Sequence, residues 1–540
     1  MSIFHHRKYP LSLVERLTRL NQIGIALSTE SNLDHLMEKI LFSAMEITNA
    51  DGGTLYSCRD NALHFEILLN DSLQIHQGGS STTPVELPPI MLHNIDGSVN
   101  HHNVAAYCAN TRKTIIIEDS YSDSRFDFSG TRAFDQRMGY HSQAFLSVPV
   151  INHENELINV IQLINPLSGK NGKILGFSDE FVELIESLAS QAAIAISNKR
   201  LIKDLKLLFN SLVQLIADAI DDKSPYTGGH CRRVTQLTLL LADAASKTDH
   251  PTLQNFTIND DDRYELEIAA LLHDCGKIIT PEHVHDKATK LQTIHDRISE
   301  VETRFEVIKR DAKIDYLEKL CECSDDITRA QLKQQYLNLT AQLDDDMDFL
   351  RMANKGSEYI SPEQVQRIEK IARYQWQCAN GDMQNLLSEE EIYNLKISRG
   401  TLTSEERQII NEHINNTIKM LEALHYPSYL KNVPEYAGGH HEKMDGTGYP
   451  RGLTREQLSI PARIMAIADI FEAVTAPDRP YRDPLKLSEA LALMNKFKQD
   501  NHIDADLFDV FVREKVYLNY AYRFMTPEQL DEVDESLISG

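Results

Sequence analysis

A chain of 540 residues is longer than one hydrophobic core usually supports, so two or three domains are expected. With 42% hydrophobic and 25% charged residues it has the composition of an ordinary globular protein, and a formal net charge of −25 argues against one that wraps a nucleic-acid polymer through a basic face. The start, MSIFHHRKYPLSLVERL, lacks an apolar core of signal-peptide length and no run of about 18 apolar residues follows; a cytoplasmic protein without a membrane anchor is expected.

In chain order, a helical pattern from about Leu13 to Leu27 comes first. Between residues 40 and 165 short helical patterns alternate with runs such as GGTLYS, LHFEILL, KTIIIED, AFLSVPVI and LINVIQLI, rich in β-branched and aromatic residues and bounded by Gly, Asn, Asp or Ser. They predict an α+β domain with a mainly antiparallel sheet and flanking helices. From Phe177 to Pro225 there is no intervening Pro or Gly, and Leu188, Ala192, Ala195, Leu201, Leu205, Leu208, Leu212, Leu215 and Ala219 recur mostly at spacings of three and four. One long helix is expected, entered at Ser178 with Asp179 and Glu180 in its first turn; the alternative is two helices broken near Asn198. A continuous helix favours a parallel homodimer.

Beyond Pro225 the pattern is helical nearly to the end. Residues 290 to 400 stand apart as acidic helical stretches with few turn residues, and predict an inserted helical hairpin or small bundle whose charge runs are solvated faces. The single tryptophan, Trp376, falls there and reads as a packing residue. The seven cysteines, scattered and without a CxxC pair, read as reduced thiols.

Chemistry-bearing residues concentrate in this second half. They are His230 after PYTGG, His273 and Asp274 in LLHDCGKI, His413 in EERQIINEHI, His440 and His441 in GGHHEKMDGTGYP, and Asp469 in IMAIADIFEA. Imidazole and carboxylate suit Fe, Mn, Zn or Ni, although a histidine on a helix taken singly is more often a satisfied core or surface residue. HD follows an apolar helical run and HH precedes a Gly-rich turn, so both lie at helix ends. Asp469 within an apolar helix needs a strong partner, either a metal or an arginine such as Arg463 or Arg479. Glu442 and Asp445 read as supporting residues, and His283 and His285 as loop residues. If the substrate is a phosphate ester, its negative charge must be met locally by metal ions or a few Lys and Arg. Gly446, Gly448 and Pro450 can fix Tyr449, which then either braces the two histidines or contacts a base or a partner.

HD at 273 to 274 with GK two residues on, and HHEKMDGTGYP at 440 to 450, resemble the two signatures of the HD-GYP phosphodiesterases, a subgroup of the HD phosphohydrolase superfamily. The similarity extends over YTGGHCRRV, ALLHDCGKI, LTSEERQIINEH, IPARIMAIADIFEAVTA and DRPYR. It implies an all-helical domain that hydrolyses the second messenger cyclic di-GMP to linear pGpG, and onward to GMP, on a centre of divalent ions such as Fe or Mn. Carried onto matching positions, it implies His273, Asp274, His413, His440, His441 and Asp469 as metal ligands, with Asp274 bridging. His230 matches a further ligand of trinuclear members. Those members carry a glutamate four residues earlier, where this chain has Tyr226, so two ions are expected. Lys277 would meet a substrate phosphate, while Arg479 and Arg482 either reach phosphate or guanine or pair with Asp478 and Asp483. The enlarged gap between His273 and His413 marks the insertion, whose flanks HDKATKLQ and ISRGTLTSEE look like halves of one interrupted loop.

The N-terminal region resembles a GAF sensory domain over ADGGTLYS, AAYCANTRKTIIIEDSYSDSRF, FLSVPVINHENELINVIQLIN and FSDEFVELIESLASQAAIAISN. Its match to the cyclic-nucleotide signature of some GAF domains is loose, since Asn165 is followed by Pro166, so a cyclic nucleotide is not favoured and a dimerisation domain with another ligand, or with none, is an equal expectation. The expected organisation is a GAF-like domain over residues 12–198, a connecting and dimerisation helix over 178–222, and an HD-GYP domain over 208–520 with the helical insertion at 290–400. Two alternatives remain open: a phosphohydrolase for another cyclic nucleotide, and a weakly active scaffold that binds diguanylate cyclases through the GYP loop.

Overall fold

The computed structural model describes residues 13–30, 32–168, 172–223, 229–356, 359–477 and 484–534. The chain divides into two compact units, Met1–Phe209 and Asn210–Gly540. Tyr226, Asp478, Arg479, Arg482 and Asp483 lie outside the described residues. Among the described residues no helix is long and apolar enough to cross a membrane, and all seven cysteines are free.

In the first unit, helices α1 (Leu13–Thr29) and α2 (Leu33–Thr48) precede strands β1 (Ala50–Arg59), β2 (Ala62–Asn70), β3 (Ile75–Gly78) and β4 (Ile90–Met91). Then come α3 (Val104–Thr111), β5 (Ile115–Ile117), α4 (Ser129–Met138), β6 (Phe145–Ile151) and β7 (Leu157–Pro166). The sheet runs β3-β2-β1-β7-β6-β5, with β4 also on β2, and every pairing is antiparallel. Strand alternation explains its two faces. Leu55, Ile161 and Leu163 pack with Leu36, Ile40 and Ala44 of α2, whereas Tyr56 and Val160 point to Ala105, Cys108 and Ala109 of α3. Strand β2 serves both faces with odd-numbered residues because Leu55 pairs with Ile67 but Tyr56 with Phe65. Glu66 is thus the extra residue of a bulge, and it switches the side-chain parity. A cavity of about 650 Å³ opens on the second face, lined by Tyr56, Phe65, Phe128, Phe134, Phe145 and Gln162 among others.

Helix α5 (Asp179–Lys223) is 45 residues long and passes Asn198 without interruption. Its first part closes the apolar face of the sheet through Ile185, Leu188, Ala192 and Ile196. Its later part leaves Leu201, Leu205, Leu208, Leu212 and Leu215 each at least half exposed, a row of apolar residues left uncovered among the described residues.

The second unit is built on α6 (His230–Ala245) and α7 (Asp260–Leu272), followed by a 3-10 turn, Cys275–Ile279, and the short α8 (Glu282–His285). Helix α7 starts at a capping box in which Asn259 and Asp262 satisfy each other's backbone N–H groups. The insertion follows, described next, and after it come α13 (Ser404–Asn411), α14 (His413–Glu422), α15 (Val433–Gly438), α16 (Ile460–Thr475), α17 (Leu487–Gln499), α18 (Ala505–Arg513) and α19 (Val516–Phe524). Helix α6 packs on α7, α16, α18 and α19, and α14 packs on the 3-10 turn and α15. Leu237, Leu241, Ala269, Ile414, Ile467, Ala468, Phe471 and Phe511 are buried there.

The insertion comprises α9 (Ile298–Glu322) and α10 (Asp326–Lys355), an antiparallel pair whose Tyr316 and Tyr336 stack at 5.1 Å, and then α11 (Pro362–Ala372) and α12 (Glu389–Leu395). It has its own core, including Leu291, Phe305, Leu343, Leu350, Ile368 and Leu395. The expectation of an all-helical insertion is corrected in one place. Between α11 and α12, β8 (Gln375–Gln377) and β9 (Met383–Asn385) form a hairpin around a turn in which Gly381 takes φ 91°, a conformation glycine adopts freely. Trp376 lies on this hairpin with the Arg304 guanidinium over its ring. The insertion's two flanks meet. Thr401 donates to the Lys287 carbonyl at 2.9 Å, and the buried Lys287 ammonium reaches Asn394 and Glu406.

One contact brings the 3-10 turn against α14. A Cβ on Gly276 would lie 2.0 Å from the His413 carbonyl oxygen and 2.6 Å from the Thr417 nitrogen, and the Gly276 N–H donates to Thr417 Oγ1. Gly276→Ala is therefore expected to destabilise the second unit by about 1–3 kcal/mol through overpacking, read as a lower denaturation midpoint. Gly130→Ala, in α4 of the first unit where no atom lies within 4 Å, should not lower the midpoint, since alanine is the better helix former. Equal midpoints for the two variants would contradict the account.

Candidate metal centre

All but one of the candidate ligands sit at or near the end of a helix. His273 follows α7, Asp274 enters the 3-10 turn, His413 opens α14, His440 and His441 follow α15, and His230 opens α6, while Asp469 lies inside α16. Helix ends carry carbonyls with no intrahelical partner, and the histidines use them. Nδ1 of His273 bonds to the Ala270 carbonyl at 2.7 Å, that of His413 to Ile410 at 2.5 Å, and that of His440 to Ala437 at 2.6 Å. In all three the acceptor is the residue three positions earlier. The carbonyl accepts, so Nδ1 carries the proton and Nε2 is left with its lone pair.

These Nε2 atoms converge. Those of His230, His273 and His440 are buried without a hydrogen-bond partner among the described residues, and so is Asp274 Oδ1. Nε2 of His413 faces Nε2 of His441 at 3.2 Å, close enough for one ion to take both or, with His441 protonated at that nitrogen, for a hydrogen bond between the two rings. Asp274 offers one oxygen to each side. Oδ2 stands 3.3 Å from His230 Nε2 and 3.2 Å from His273 Nε2, and Oδ1 stands 3.3 Å from His413 Nε2. Asp469 Oδ1 lies 3.4 Å from His230 Nε2 and 3.8 Å from His273 Nε2. His413, His440 and His441 can thus hold one ion and His230, His273 and Asp469 another, with ligand atoms of each trio within 4.8 Å of one another. Orphaned buried acceptors of this kind are costly without a cation, so the donor set fits transition-metal ions.

The local charges pull against one another. Burial opposes the charged form of Asp274, but Lys277 and His273 hold its carboxyl well below the usual range; Asp469 is likewise held down by His230 and His273. Burial and the neighbouring imidazoles push His440 well below the ordinary histidine range. Burial chiefly brings His441 down to about 4. His273 is buried too, yet Asp274 and Asp469 outweigh that and raise it to about 9, so a second proton and a metal ion compete for its Nε2.

The remaining expected site residues are placed as follows. Lys277 pairs with Asp274 at 2.6 Å. The Tyr449 ring stacks on His441, centroids 4.9 Å apart and planes 22° from parallel. Its loop folds back tightly, since a Cβ on Gly448 would lie 2.3 Å from the Lys443 nitrogen. Glu442 is buried and accepts from the N–H groups of Arg451 and Leu453, and Asp445 accepts from Thr447; both support the loop. Arg463 is not the partner of Asp469, because it pairs with Asp504. His283 and His285 lie on α8, and His285 bonds Asp286.

One residue escaped the sequence reading. Glu472, one turn after Asp469 on α16, is fully buried. It accepts from His230 Nδ1 at 2.6 Å and from Arg233 Nε at 2.7 Å, so it fixes the ring that no backbone carbonyl fixes. The available signal was a second carboxylate three residues on in an apolar helix, ADIFEAV.

Residues 32–196 match the GAF domain family, and residues 227–348 and 388–507 match HD domain families. A 3'3'-cGAMP-specific phosphodiesterase of Vibrio cholerae is 38% identical over 132 residues, which is 24% of this chain and 29% of that protein. A cyclic di-GMP phosphodiesterase of Pseudomonas aeruginosa is 38% identical over 114 residues, 21% of this chain and 26% of that protein. A cyclic di-GMP phosphodiesterase of Thermotoga maritima is 36% identical over 126 residues, 22% and 34%. The chain spans about a third or less of the length of these relatives. An α+β unit that matches the GAF domain family is thus followed by a mostly helical region that matches HD domain families.

Proposed function

We propose that the chain is a metal-dependent phosphodiesterase of the HD-GYP kind that cleaves the 3'-5' phosphodiester of cyclic di-GMP to linear pGpG and then to GMP. The observation that carries this reading is the convergence of buried, partnerless Nε2 atoms around one carboxylate whose two oxygens face two ligand trios. His273, Asp274, His413, His440, His441, Asp469 and His230 hold the ions, two in number. When bound, divalent ions supply Lewis acidity toward phosphate oxygens and acidify a water to serve as nucleophile.

The chain's own residues do the rest. Asp274 ties the two trios together. Lys277, drawn to the site by Asp274, contributes a cation for a nonbridging phosphate oxygen. Tyr449, stacked on His441, fixes that imidazole and gives a guanine base an aromatic edge to meet. Arg479 and Arg482 are assigned to substrate phosphate. We place the GAF-like domain at 12–198, the connecting helix at 178–222, the HD-GYP domain at 208–520 and its insertion at 290–400. The exposed leucine row of α5 supports a parallel homodimer. The GAF cavity has no Lys or Arg among its described lining residues, which disfavours a phosphate-bearing ligand and supports an uncharged small molecule as the regulatory signal. One relative's printed name, specific for 3'3'-cGAMP, favours a second reading in which that dinucleotide is the preferred substrate.

Purified under reducing conditions, the protein should contain at least one transition metal per chain and release pGpG from cyclic di-GMP. Chelation should remove both metal and turnover, and the double variant His273→Ala, Asp274→Ala should lose both. A metal-free wild type, or a variant with unaltered turnover, would leave a scaffold that docks diguanylate cyclases; faster hydrolysis of 3'3'-cGAMP would select the second reading.

Glu472→Gln removes the charge that orients His230 and leaves Arg233 facing a neutral amide. Loss of such an outer partner should weaken metal binding by about 10–100-fold in titration against a competing chelator. An unchanged metal affinity would count against His230 as a ligand.

A further inference from the structure

The end of α5 closes directly on the metal centre. The ammonium of Lys223, the last residue of the helix, donates to three carbonyl oxygens, those of Lys277 at 2.7 Å, Ile278 at 2.6 Å and Thr280 at 2.5 Å. These carbonyls end the 3-10 turn Cys275–Ile279, where backbone acceptors run out of intrahelical donors and a cation is favoured. Two residues earlier, buried Asp221 accepts from the Cys231 N–H at 3.2 Å, in the first turn of α6 beside His230. Ile220, Asp221 and Lys223 line the narrow cleft that also contains His230, Asp274 and Lys277. One helix end therefore holds both the turn that bears Lys277 and the start of the helix that bears His230.

The opposite side of the 3-10 turn has no slack. Gly276 is pressed against the His413 carbonyl and Thr417 so closely that even a methyl group has no room. The turn is pinned between α14, which cannot give, and a lysine side chain with four rotatable bonds, which can. The pairing of Lys277 with Asp274 sits between these two supports. Helix α5 runs from Asp179 to Lys223, and its last turn ends at this clamp.

We propose that Lys223 and Asp221 are positioning residues: the end of α5 sets where the Lys277 ammonium and the His230 ring stand in the metal centre, and movement of that helix end adjusts phosphate binding and turnover without removing the metal. The kinetic part rests on the phosphodiesterase reading above, whereas the phosphate-binding part does not.

The test compares full-length wild type, Lys223→Met and Lys223→Arg, each loaded with Mn2+. Metal per chain, inorganic phosphate affinity read through the relaxation of Mn2+-bound water, and kcat and KM on cyclic di-GMP are measured for each. Lys223→Met keeps the carbon stem but not the donors. It should retain wild-type metal content while phosphate affinity and kcat each fall about tenfold, and Lys223→Arg, which restores charge and donors, should recover most of both. Wild-type phosphate affinity and kcat in Lys223→Met would overturn the proposal. So would losses in both variants that simply follow lost metal, the mark of a merely structural cap. If the wild type cleaves no cyclic dinucleotide but Lys223→Met still weakens phosphate binding with metal retained, the clamp stands and the substrate reading falls.

Discussion

The second unit depends on resolving one electrostatic conflict: five imidazoles and two carboxylates share a nearly dry space between helices. Without a cation, Nε2 atoms of His230, His273 and His440 and one oxygen of Asp274 are buried with nothing to bond, a cost of about 1–3 kcal/mol for each such group. Pairing within the cluster relieves this only in part, through Lys277 on Asp274 and His441 against His413. The outer sides of four of the five rings are bonded, through Ala270, Ile410, Ala437 and Glu472, and the inner sides converge on one another. That pattern is the opposite of a structural polar network, in which every member is satisfied internally.

Helix ends make this possible. A carbonyl three residues back from a terminal histidine is both free and correctly placed, so tautomer and ring orientation follow from the backbone alone for three of the ligands. His230 is held instead by a buried carboxylate on another helix, Glu472. Arg233 in turn neutralises that carboxylate. The backbone packing that assembles these ends is tight at Gly276 and Gly448, two positions where a side chain would collide with main chain. The insertion leaves the arrangement undisturbed because its flanks come back together through Lys287 and Thr401 and it buries a core of its own.

Much of this was legible in the chain itself. The strand runs between residues 50 and 166 are bounded by turn-forming residues and alternate in hydrophobicity, so the antiparallel sheet could be read; the parity switch at Glu66 could not, because a bulge depends on the partner strand. The unbroken α5 followed from the lack of Pro and Gly. The gathering of His230, His273, Asp274, His413, His440, His441 and Asp469 into one place is observed, although no single residue carried enough signal to predict it. The competing idea that Arg463 neutralises Asp469 failed because Asp504, distant in sequence, claims that guanidinium. Glu472 and Lys223 were missed for related reasons. A carboxylate among apolar residues and a lysine at a helix end look ordinary until the fold supplies their partners 242 residues and about 55 residues away.

The most direct test of the central claim is X-ray absorption on the metal-loaded protein, together with anomalous diffraction at the metal edge. The account predicts two ions about 3.5–4 Å apart, ligated by imidazole Nε2 and carboxylate oxygen, with Asp274 shared between them. A single isolated ion, ligation through Nδ1, or metal bound away from Asp274 would contradict it.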